Sequence, residues 1–79
     1  MTKESIMLLK ELIAEKDSRL EAIGRRLEIL RALVLNAEDS NELALLSQEV
    51  KELGEEISFL TNSRKALQKE VNDFYKPAA

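Results

Sequence analysis

The sequence predicts an all-α chain, an antiparallel two-helix hairpin of coiled-coil type. A seven-residue apolar rhythm runs through each half of the chain, the phase breaks once near the midpoint, and the break coincides with turn-forming residues. Ile6, Leu9, Ile13, Leu20, Ile23, Leu27, Leu30, Val34 and Ala37 recur in alternating steps of three and four, with a gap at Lys16. Leu43, Leu46, Val50, Leu53, Ile57, Leu60, Leu67, Val71 and Phe74 repeat it, with a gap at Arg64. This spacing places one apolar stripe along a helix.

The first helix is expected over about 3–36, with Thr2 as its cap. Its a positions are Ile6, Ile13, Leu20, Leu27 and Val34, and its d positions are Leu9, Lys16, Ile23, Leu30 and Ala37. An unbroken helix would put the next a at position 41, yet the second run starts at Leu43. Two extra residues rotate the stripe by about 200°, to the opposite side of a single rod. A turn at about 37–40 brings both stripes into one core. Asn36 and Asp39-Ser40-Asn41 suit that turn, because their short polar side chains compete with helix hydrogen bonds.

The second helix is expected over about 40–76. Asp39 as cap and Glu42 three residues later resemble a capping box, with Ser40 as the alternative cap. Pro77 stops the helix, leaving a tail at 77–79. Folding back pairs a layers with d layers at a constant total of residue numbers. Positions 34 and 46, 27 and 53, 20 and 60, 13 and 67, and 6 and 74 all total 80. The two polar gaps, 16 and 64, share that total, so both exceptions fall in one layer.

Residues 1–79 form a single domain on this reading. Two helices enclose little volume, and small chains without staples sit near the limit of stability. There is no Cys and no His, so neither a disulfide nor the usual zinc ligand set is expected. Support is expected instead from a second hairpin, completing a four-helix bundle as a dimer or with a partner.

The flanks carry the candidate sites. Arg19 and Arg26 at g face Glu42, Glu49, Glu56 and Glu70 at g, so Arg26 can meet Glu49 or Glu56, and Arg19 can meet Glu56. The other flank is small: Gly24 and Gly54 at e lie side by side and permit close approach of another helix. A second apolar strip at c and g comprises Leu8, Leu12, Ala22, Ile29 and Leu33 from the first helix, and Leu45, Phe59 and Ala66 from the second. Contiguous exposed apolar surface marks interaction sites, and this strip is the expected partner interface, with Phe59 its anchor. Lys16 and Arg64 form a polar layer that either swings its charges out toward Glu15 or Asp17, or takes a carboxylate from a partner and fixes register.

Catalysis needs a convergent acid, base or nucleophile in a pocket, and no such constellation or phosphate-cradling loop is present. No enzyme activity, cofactor, metal site or small-molecule substrate is expected. The net charge of −3 argues against general nucleic-acid or anionic-membrane binding. The longest apolar runs are four residues, far short of the roughly 20 of a membrane span. With no signal-peptide pattern, a cytoplasmic setting is the expectation.

The expected function is a non-enzymatic protein–protein interaction module: an assembly factor, small chaperone, inhibitor or structural spacer. The alternative is a small dimeric nucleic-acid-binding hairpin using Arg19, Arg25, Arg26 and Arg31. Against it, Glu21 and Glu28 interrupt the cluster and no aromatic residue on that helix can stack a base. Ser47-Gln48-Glu49 resembles part of the motif of the small sporulation-type aspartyl-phosphate phosphatases. That family's motif continues to an aspartate four residues after the serine, the residue tied to phosphatase action. Lys51 stands there in this chain, so the resemblance stops short of the acting residue.

Overall fold

The computed structural model describes residues 2–76. Two helices, α1 (Lys3–Asn36) and α2 (Ser40–Tyr75), pack against each other as a hairpin 61 Å long and 18 by 14 Å across. Among the described residues there is no strand.

Local chemistry explains each boundary. Thr2 is extended, and its hydroxyl accepts from the Ser5 backbone N–H at 3.2 Å, satisfying one of the donors left free at a helix start. At the other end of α1, Ala37 is extended and its N–H reaches back to the Val34 carbonyl at 3.3 Å, while the Asn36 side chain donates to the Ala32 carbonyl. Asp39 caps α2 by accepting from the Asn41 N–H at 3.0 Å. This corrects one expectation. Asp39 is the cap, but its carboxylate takes the nearer Asn41 N–H, and no reciprocal bond from Glu42 completes a capping box. The α2 helix ends at Tyr75, with Lys76 extended; Pro77 and the tail lie outside the described residues.

The buried side chains all come from the a/d stripe: Ile6, Ile13, Ile23, Leu30 and Val71, with Ile6, Ile23 and Leu30 fully so. Ile6, Ile13 and Val71 form one cluster, with Leu9 and Leu67 packed against it, as antiparallel pairing at a total of 80 requires. Burying such a side chain removes apolar area from water at roughly 25 cal/mol per Å², which drives the pairing. The stripe is not evenly covered. Leu43 and Val50 near the turn, and Phe74 near the open end, remain exposed although they occupy a and d positions. A second helix shields a seam residue from one side only, so flank residues must complete its burial.

Candidate functional site

The g flank is laced by two bidentate ion pairs between the helices. Arg26 donates through Nε to Glu49 Oε2 at 2.6 Å and through Nη2 to Oε1 at 3.0 Å. Arg19 grips Glu56 in the same way, at 2.9 and 3.1 Å. Of the two partners open to Arg26 in the sequence, the structure selects Glu49. The hydrogen bond from Arg26 holds the Glu49 carboxyl below the ordinary glutamate range, and Glu49 raises the Arg26 guanidinium in turn.

Around the a/d seam, the opposite flank is looser. Lys10 Nζ donates to the Tyr75 hydroxyl at 3.2 Å, with its ammonium 5.1 Å from the centre of the Tyr75 ring. Positions 10 and 75 total 85, whereas the Arg–Glu pairs total 75, so the two flanks bracket the seam total of 80 symmetrically. The Lys10–Tyr75 contact was legible from this offset, although no residue type in it announces an ion pair. Nearer the turn, the same flank opens into a groove of about 400 Å³ lined by Leu27, Arg31, Val34, Ser47 and Val50. Gly24 and Gly54 flank this region but do not hold the helices together: a Cβ added at either would meet nothing within 4 Å.

The polar layer splits in two. Arg64 swings out of the seam and forms a forked pair with Asp17, which raises its guanidinium through hydrogen bonding. Lys16 stays half-buried and forms no ion pair among the described residues. Of the two anions within reach in the sequence, Asp17 is used. Glu15 forms no ion pair among the described residues.

The c/g strip is on the surface. Leu45 is 74% exposed, Phe59 68%, Leu8 61% and Ile29 53%, with Leu12 and Leu33 also exposed. Ala66 is exposed and Ala22 half-covered. The ion pairs Arg19–Glu56 and Arg26–Glu49 join the two helices at g, the column that Leu12 and Leu33 also occupy on α1. Leu8, Leu12, Ala22, Ile29 and Leu33 belong to α1, and Leu45, Phe59 and Ala66 to α2. Met7, Leu35 and Tyr75 add further exposed apolar surface outside the strip.

Of the four arginines on α1, three are engaged by carboxylates: Arg19 by Glu56, Arg26 by Glu49, and Arg25 by Glu21 one turn away at 2.8 Å. Lys51, where the phosphatase-like motif would need an acid, is exposed and does not line the groove near the turn. Among the described residues, no group of three His, Cys, Asp or Glu is placed to hold a metal ion, and no helix is long and apolar enough to cross a membrane. No protein-family model, no curated protein and no solved structure matches this chain.

Proposed function

We propose that this chain is a non-enzymatic protein–protein interaction module, a rigid helical hairpin whose c/g strips dock on other helices to complete a bundle. The observation that carries this reading is the row of large exposed apolar side chains, Leu8, Leu12, Ile29, Leu33, Leu45 and Phe59, on helices that are otherwise charged on their outer faces. Isolated apolar residues are ordinary on a protein surface, but a periodic row is not. A hairpin with five buried side chains among its described residues also has little core of its own, so covering the strip would add stability.

The neutralised arginines favour this reading over nucleic-acid binding. Carboxylates already neutralise Arg19, Arg25 and Arg26, so a polyanion would gain less from them than from unpaired cations.

The test is site-specific photo-crosslinking in the native host. A photoreactive residue at position 12 or 59 is expected to capture protein, whether a second copy or another chain, whereas the same residue at Gln48, on the outward face of α2, is not. Capture of nucleic acid instead, or no capture at 12 and 59, would remove the reading.

A further inference from the structure

We propose that the α1 half of the strip docks on a second copy of this chain, antiparallel about a two-fold axis beside Leu20 and Glu21. The inference rests on the interaction reading above and names the partner. Positions c and g of α1 form a second seam with the same three-and-four spacing as the core. In a two-fold antiparallel pair each c faces a g of the partner, and the heptad permits only registers seven residues apart.

One register sets every large apolar side chain of the face against another. At a total of 41, Leu8 faces Leu33 of the second copy and Leu12 faces its Ile29. In the middle of the same face Glu15, which forms no ion pair among the described residues of its own hairpin, meets Arg26, whose Nε and Nη2 hold Glu49 and whose Nη1 is left to take a second carboxylate. Two further layers set Ala22 beside the aliphatic stem of Arg19 and Ser5 beside Asn36. Every layer then occurs twice, as two-fold symmetry demands. At 34, Leu8 would face Arg26 and Ile29 would face Ser5; at 48, Leu33 would face Glu15 and Ile29 would face Arg19. Both bury charge against apolar side chains.

The charged flank supplies an independent check. Inside the hairpin, the ion pairs beside the seam total five less than the seam itself, 75 against 80. The corresponding positions beside the α1 face are the f residues. The same offset from 41 gives 36, the total of Glu11 and Arg25. Glu11 forms no ion pair among the described residues, and Arg25 holds only Glu21 on its own helix. Two Glu11–Arg25 bridges would thus close the interface. The α2 half of the strip has no such self-match, since its apolar residues Leu45, Phe59 and Ala66 all sit at c and would face Glu or Ser at g.

The chain has no Cys, so a single introduced cysteine can carry a spin label. Sedimentation equilibrium of the full chain is expected to give a dimer. Labels at Ser18 should lie within about 20 Å of each other, and labels at Glu4 about 50 Å apart, from the helical rise over the offset between copies. Leu12→Glu should weaken the dimer at least about 30-fold, the scale of a hot-spot loss, and Leu45→Glu less than about twofold. Leu12 is exposed, so the variant keeps its helicity, which circular dichroism checks. A monomer throughout the micromolar range, a dimer with both label distances short, or a dimer indifferent to Leu12→Glu would overturn the proposal. A monomer whose position 12 still captures another protein would remove the second copy and leave the docking reading standing.

Discussion

Arg26 and Glu49, 23 positions apart in sequence, form a forked ion pair that ties α1 to α2 with a shortest N···O separation of 2.6 Å. The Glu49 carboxyl is held below the ordinary glutamate value of 4.5. A carboxyl whose folded value is depressed stabilises the fold above its unfolded value, and that contribution fades as pH falls through the folded one. Thermal melts are therefore expected to show Tm declining on acidification below about pH 4.5, with a shallower decline in Glu49→Gln. Both side chains are solvent-accessible and screened, so the effect is small, and salt should shrink it. A wild-type curve superimposable on that of Glu49→Gln would mean that the pair contributes nothing in solution.

Leu30 is completely buried in the hairpin, in the layer that pairs it with Val50. Leu30→Ala removes that contact and leaves a cavity, at a cost of about 2–5 kcal/mol. For so small a core this approaches the whole stability, and the far-ultraviolet helix signal at 25 °C is expected to fall sharply. Leu35→Ala, at an exposed position on the same helix, is expected to change stability by less than about 0.5 kcal/mol.

Lys16 occupies a seam position without a counter-ion, whereas Arg64 has Asp17. Replacing Lys16 by Leu restores the apolar layer and leaves the Arg64–Asp17 pair in place. Tm is expected to rise by about 5 °C. A lower Tm would mean that the lysine stem already fills the layer and that its ammonium is satisfied by solvent.

Gly24 and Gly54 lie in helix interiors where a methyl group meets open space. Alanine at either site should stabilise the hairpin by about 1 kcal/mol, because glycine loses more backbone freedom in a helix. Chemical denaturation of each variant measures this. A stabilised variant that loses capture at the docking strips would identify the glycine as room kept for another helix.

Asp39 holds the start of α2 through the Asn41 N–H. Asp39→Ala should cost about 1 kcal/mol, visible as faster hydrogen exchange in the first turn of α2 before any global loss. Uniform change along both helices would place the effect elsewhere.

Much of this fold was legible in the order of residues, because helix period, cap chemistry and phase break are local properties. The three-and-four spacing defined the seam, Thr2 and Asp39 marked the helix starts, and the two-residue phase shift required the chain to turn. Arg19 and Arg26 were placed opposite Glu49 and Glu56 by the same counting. The exposure of Leu43 and Val50 was not legible, since spacing alone does not say how much cover a neighbouring helix gives.

Periodicity along the chain was enough to dictate two helices, their ends and the assignment of Lys16 and Arg64 to one layer. Packing decided what distances across the pair control: that Arg26 takes Glu49 and not Glu56, and that Arg64 leaves the seam for Asp17. Each of those outcomes depends on where a long side chain ends in space, which its position in a heptad does not specify.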